Sequence, residues 1–249
     1  VIIMKKISKI CCVLSLAISC ISISQHSEAK DGSVVTASLN GWYAGFGAGY
    51  QHLKSNGSAK FRLTGAGNFS SANNELKENG FLAEIHGGYS ETQEDSLYYG
   101  GKLLLNISTA QASNKVEFTN AEFENKFKQD VNGSVLAQFG FLADSDTAIY
   151  GTLGVSYSYF TYKHVETGST DSKWKVGFPF GLGVRTSIEK DVSLSVEGIY
   201  TIYSSFSTGD LDGSDVDYIA KASPRTFALT IGVITPASKQ FTLSSVRDL

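Results

Sequence analysis

Of the four histidines, His26 lies in the amino-terminal leader, and His52, His86 and His164 are each a place where proton transfer or metal ligation could begin. A serine, histidine and acid set at a membrane surface would acylate or deacylate lipid, and its members would have to meet within hydrogen-bond distance. Serine is spread along the whole chain, so nearness in sequence selects no nucleophile. His52 and His164 stand at the ends of alternating segments and read as solvated residues at loop bases. His86 shares its parity with Glu84 and reads as a hydrogen-bonded filler of a polar interior, because a metal site needs more converging ligands. Gly45-Phe46-Gly47 and Gly181-Leu182-Gly183 have the spacing of nucleotide loops, but no helical pattern follows either one. The expectation is no catalytic residue, no cofactor and no metal.

The elements that carry these residues alternate with a period of two. Trp42, Ala44, Phe46, Ala48 and Tyr50 share one face of the first segment, and Tyr43, Gly45, Gly47, Gly49 and Gln51 share the other. Eight such segments are expected, at 40–53, 80–91, 96–108, 132–143, 147–160, 174–188, 192–206 and 224–235. Each is long enough to cross a bilayer as a tilted strand, which takes about 9 to 11 residues, whereas strands of soluble proteins average about 5 to 6. Short turns at Thr92–Asp95, Asp144–Asp146 and Glu189–Asp191 alternate with long polar segments at 54–79, 109–131, 161–173 and 207–223. That alternation predicts an all-β fold, an eight-stranded antiparallel up-and-down transmembrane barrel with short periplasmic turns and four outer loops. Segment 115–130 fits a loop, a short helix or an extension of the wall.

The composition agrees with this reading. The chain has 249 residues with 25 Gly, 12 Tyr, 15 Phe and 18% charged residues, and a mean hydropathy near zero. Strands that alternate lipid-facing with lumen-facing side chains average to neutral, so no hydropathy signal is expected from them. Val192, Leu194, Val196, Tyr200, Phe227, Leu229, Ile231 and Val233 would face lipid, with Trp42, Tyr50, Tyr89, Tyr157, Tyr159, Trp174 and Tyr203 in two girdles. Glu84, His86, Lys102, Asn106, Gln138, Arg185 and Glu197 would face inward, where charge can be satisfied. Distance from the hairpin turns predicts two internal ion pairs, Glu84 with Lys102 and Arg185 with Glu197. In so narrow a lumen they would leave no continuous channel. Pro179, on the inner parity, predicts a local bulge.

The amino terminus reads Met4-Lys5-Lys6, then an apolar run from Ile10 to Ile23, then Ser27-Glu28-Ala29. This is a signal peptide over 1–29 with cleavage between Ala29 and Lys30. Lipid attachment at Cys20, after Ala17-Ile18-Ser19, is the alternative. Cys11, Cys12 and Cys20 all lie in that leader, so the processed chain has no thiol. Loss of three lysines and one glutamate takes the formal charge from -3 to -5, which argues against nucleic acid. Residues 30–39 form an N-terminal segment, 40–235 the barrel, and 236–249 a short periplasmic tail.

Three stretches carry a family likeness: Gly41-Trp42-Tyr43-Ala44-Gly45-Phe46-Gly47-Ala48-Gly49-Tyr50, Tyr150-Gly151-Thr152-Leu153-Gly154-Val155-Ser156-Tyr157, and Gly181–Arg185 with Val192–Glu197. Over residues 40–235 the sequence resembles the outer-membrane β-barrel domain of opacity-type surface antigens and OmpA-like barrels. The resemblance implies an eight-stranded barrel in the bacterial outer membrane whose loops mediate adhesion, immune interaction or ligand binding. It implies as partners the outer-membrane lipids and lipopolysaccharide, the barrel-assembly machinery, and a host or extracellular ligand. Family members usually end the last strand on an aromatic, whereas this one ends Ile234-Thr235-Pro236. The leading function is thus a non-enzymatic surface protein for adhesion or envelope integrity, with a narrow porin as the alternative and a lipid-modifying enzyme behind both.

Overall fold

The computed structural model describes residues 39–63, 70–93, 96–118, 121–164, 170–189, 191–210 and 216–237. The signal peptide, its cleavage site, Cys20, residues 30–38 and most of the 236–249 tail lie outside the described residues. Ten strands follow one another: β1 (Gly41–Leu63), β2 (Ser70–Thr92), β3 (Leu97–Ser108), β4 (Gln111–Phe118), β5 (Ala121–Leu142), β6 (Thr147–His164), β7 (Thr170–Glu189), β8 (Val192–Tyr203), β9 (Phe206–Asp210) and β10 (Val216–Pro236). β4 continues β3 along β5, and β9 continues β8 along β10, each after a break of two residues. Eight staves result. All neighbours are antiparallel, and β1 pairs with both β2 and β10, so the sheet closes with no free edge in the membrane.

The register fixes the shape. Stepping from Trp42 across successive partners, Tyr89, Gly101, Ala137, Leu153, Phe180, Tyr200 and Phe227, the path returns to β1 at His52, ten residues further along. A stagger of ten over eight staves corresponds to a strand tilt of about 40° and a backbone radius of about 8 Å, from strand spacing and rise alone. Side chains of that interior meet across the axis.

The expected short turns are present and are held locally. Between β2 and β3, Ser96 adopts φ 65°, its amide donates to the Gln93 carbonyl at 3.0 Å, and the Gln93 amide donates to Leu97 at 2.9 Å. Between β5 and β6, Asp144 Oδ1 accepts the Asp146 amide at 2.8 Å, an Asx turn. The long segments are a correction. Residues 54–79, 109–131, 161–173 and 207–223 were expected as loops, but most of each is strand, and the barrel wall runs on beyond the predicted strand ends. Backbone groups there keep pairing with the neighbouring stave, for example Ala59 with Ala72 and Val116 with Phe123. The bulge expected at Pro179 is also absent. Pairing with β6 lapses opposite Phe178 and Pro179 and then resumes in the same register, while the bulges fall at Gln129/Val131 and Ser187/Glu189.

Side chains sort by parity into two layers that exchange roles with height. Across the lower part of the wall the outward residues are apolar and bare, such as Phe81 at 74% exposure, Leu182 at 73% and Trp42 at 67%. So continuous an apolar surface must lie in lipid. It spans about ten residues of tilted strand, or roughly 25 Å, the height of a membrane belt. Higher up, the outward positions are Lys54, Lys77, Lys126, Lys128 and Lys163, and the inward ones become the apolar cluster Leu53, Leu76, Ala112, Phe127, Phe160 and Tyr162. Phe127 and Phe160 stack at 5.2 Å between centroids. The barrel is thus mainly polar inside within the membrane, with the apolar cluster Leu104, Leu136 and Ile199 among the polar groups, and apolar inside above it.

Candidate functional site

The lumen gathers all four of the charges singled out in the sequence, each almost fully buried. Their partners differ from the expected ones. Lys102 on β3 donates to Glu197 on β8, which also accepts from the Tyr150 hydroxyl at 2.6 Å. Arg185 on β7 reaches Ser90 on β2 at 3.2 Å and stacks over the Tyr43 ring at 4.5 Å. The pairs Glu84 with Lys102 and Arg185 with Glu197 do not form. Register is one reason: Glu84 faces Asn106, Lys102 faces Gly88, Arg185 faces Ser195 and Glu197 faces Gly183. Radius is the other. β3 and β8 are four staves apart, as are β2 and β7, so both contacts cross the full diameter.

Glu84 and His86 remain together, with Nδ1 3.3 Å from Oε1, but neither ring nitrogen makes a hydrogen bond. His86 lies against Gly45 and Gly232, at positions where a Cβ would collide with its ring. Between this tier and the apolar cluster lies a second polar network that sequence reasoning missed. Gln51 donates to Gln129, whose Nε2 donates to Ser158 at 2.8 Å and Tyr203 at 2.9 Å, and Asn132 Oδ1 accepts from Ser156 and Ser158. Tyr203, expected in a lipid-facing girdle, is inside, where its hydroxyl completes this network and its ring packs on Phe160. Inner parity was the available signal for Gln51 and Asn132. A polar void of about 20 Å³, room for one water, is the space left here. The lumen is closed below by the charged tier and above by Leu53, Phe127 and Phe160.

His52 points outward, and its Nδ1 lies 2.7 Å from Asn79 Oδ1. The side chain of His164 lies outside the described residues. Among the described residues no three His, Cys, Asp or Glu side chains converge as metal ligands. The girdle residues Trp42 and Tyr89 pack edge to face at 5.4 Å, and Tyr157 stacks on Trp174 at 4.7 Å. Above them, Glu75 bridges Lys54 and Lys77, and those two ammonium groups hold its carboxyl down to about 2.

Comparison with known proteins agrees with this architecture. The chain is 24% identical over 208 residues to the 31 kDa outer-membrane immunogenic protein of Brucella melitensis and to that of Brucella suis, covering 77% of this chain and 82% of each relative. It superposes on the outer membrane protein OprG from Pseudomonas aeruginosa with a TM-score of 0.51, at 14% identity, over 82% of this chain and 100% of that one. That second likeness speaks for the fold alone. The model of the outer membrane protein beta-barrel domain matches residues 13–233, and the chain belongs to that family of the bacterial outer membrane.

Proposed function

We propose that the chain is a non-enzymatic surface protein, a closed barrel that holds an extended wall and its connecting tips above the membrane for adhesion, host or ligand contact, or envelope integrity. The observation that carries this reading is the closed lumen: Lys102 with Glu197 and Arg185 with Ser90 span its diameter below, and Phe127 and Phe160 fill it above. A solute path would need both tiers to part. The relatives in Brucella, named immunogenic, support exposure of the outer segments 54–79, 109–131, 161–173 and 207–223 to external partners. Processing between Ala29 and Lys30, insertion by the assembly machinery and a periplasmic tail complete the proposal.

Planar-bilayer recording of the purified protein tests it. The expected result is no stable large conductance. A steady conductance that changes in Glu84→Ala or Arg185→Ala would establish the narrow porin instead. Turnover of a lipopolysaccharide acyl chain that is lost on replacing His52 or His164 would establish an enzyme.

A further inference from the structure

We propose that the outward row Arg225, Lys54 and Lys77 binds the phosphate groups of an outer-leaflet glycolipid. The register puts Lys54 of β1 directly opposite Arg225 of β10 on one side and Lys77 of β2 on the other. Opposed side chains on one face of an antiparallel sheet stand about 4.5 to 5.5 Å apart at Cβ, and like charges so placed destabilise the sheet. Glu75 bonds both lysines, at 2.7 Å from Lys77, and leaves this row with two positive charges. Among the described residues no carboxylate lies within ion-pair distance of Arg225. A row of like charges held on a rigid wall has an anion as its natural occupant.

Position says which anion. Beneath the row, on the same outward face, comes a tier of Phe227, His52 and Asn79, and below that Tyr50 and Phe81, exposed and packed edge to face at 6.3 Å. They form the upper edge of the belt that lies in acyl chains. A ligand that fits both layers has phosphates at the boundary and hydrocarbon below it, and the outer leaflet of a Gram-negative outer membrane supplies it as phosphorylated glycolipid. The Arg225 guanidinium is suited to phosphate because its planar fork donates two parallel hydrogen bonds. The same layering recurs across the barrel. Lys126 stands opposite Lys163 on β5 and β6, above Tyr157, Tyr159 and Trp174.

The test uses the full processed chain, folded in detergent micelles, titrated with bisphosphorylated lipid A and, separately, with its dephosphorylated form. Arg225→Gln with Lys54→Gln should weaken binding of the phosphorylated lipid about thirtyfold, since each cation near a charged bilayer surface contributes about 1 kcal/mol. Binding of the dephosphorylated lipid should not change. Arg225→Lys with Lys54→Arg, which keeps both charges, should hold affinity within a few fold. Heat-modifiable gel migration reports folding, and the single Arg225→Gln variant is read if the double one does not fold. Unchanged affinity in the neutralised variants overturns the proposal, as does equal affinity of the native chain for the two lipids. Binding of a sulfated polysaccharide by the native row, with none of lipid A, overturns it in favour of an extracellular polyanion.

Discussion

Replacing Lys102 by Met isolates the contact that crosses the lumen. Its partner Glu197 is 3% exposed and accepts from the Lys102 ammonium and from the Tyr150 hydroxyl at 2.6 Å, with Gln138 at 3.5 Å. Without the ammonium two neutral donors remain, the second at the limit of a hydrogen bond. Breaking a buried pair by removing one member costs about 3 to 5 kcal/mol, because the remaining charge stays out of water uncompensated. Adding Glu197→Gln removes that charge and keeps the Tyr150 bond, so the double variant should lie within about 1 to 2 kcal/mol of the native barrel. Glu197→Gln alone leaves the buried ammonium without its partner and should itself cost about 3 to 5 kcal/mol, so the coupling between the two sites is at least about 4 kcal/mol, well above the few tenths seen between independent sites. Equilibrium unfolding in urea from phospholipid vesicles measures it through tryptophan fluorescence. Both tryptophans, Trp42 and Trp174, lie on the outer face, at 67% and 47% exposure, so both report departure from lipid. As a control, Arg185→Met with Glu197→Gln should show less than half that coupling, since Arg185 contacts Ser90 and Tyr43 instead. A cost below about 1 kcal/mol for Lys102→Met, or a larger coupling with Arg185, would refute the cross-lumen pairing.

Three further outcomes are expected. Glu75 titrates near 2 in the folded chain, below the ordinary glutamate value, so its pairing with Lys54 and Lys77 contributes stability that is present above about pH 4.5 and fades as pH falls toward 2; Glu75→Gln should remove that part of the pH dependence, read by unfolding at pH 5, 4 and 3. In a chain with Cys11, Cys12 and Cys20 replaced or removed by the proposed processing, Asn56→Cys should react with a membrane-impermeant maleimide on intact cells, and Ser187→Cys only after lysis; the reverse pattern would invert the orientation. Ala at Gly183, whose Cβ would lie 2.6 Å from the Tyr150 ring, should cost about 1 to 3 kcal/mol. Ala at outward Gly151, with nothing nearer than 3.7 Å, should be close to neutral in the same unfolding assay.

The eight staves were legible because one face of each repeats every second residue over a full membrane crossing. The upper halves of those staves were not, for a reason visible at Tyr50 and Leu53. Tyr50 points out into the belt and Leu53 points in to the upper cluster, so the apolar parity flips within three residues while the strand continues. Charges such as Lys54 and Lys77 then fall on the outer face, and a flipped pattern carrying charge reads as loop. The bulge at Gln129/Val131 adds a second phase change, which takes Phe127 inside although Val131 shares its odd number. Which residues face the lumen was likewise legible, since Glu84, Lys102, Arg185 and Glu197 all do. Who meets whom was not. Lys102 with Glu197 and Ser90 with Arg185 are each 95 residues apart, and only the stagger of the closed barrel brings them level.

The glycines explain how so narrow an interior accepts large polar groups without strain. Tyr150 lies over Gly183, His86 over Gly45, Tyr43 over Gly88, Tyr203 over Gly177, and Glu84 over Gly47. Each pair sits on neighbouring staves, so a large side chain occupies the space that a missing Cβ leaves next door. A slip of one stave past its neighbour by a single residue would turn every inward side chain to lipid. A slip of two would set Tyr43 against His86 or Ser90 and Tyr203 against Lys175 or Pro179, all of which carry a Cβ, although the runs Gly45, Gly47, Gly49 and Gly181, Gly183 would accept it in one direction. The inner glycines therefore select the stagger of ten, and the stagger in turn brings Lys102 level with Glu197 across the axis. Closure of the lumen follows from packing between neighbours as much as from the ion pair itself. This is why removing the ammonium is expected to cost stability while leaving the lumen shut.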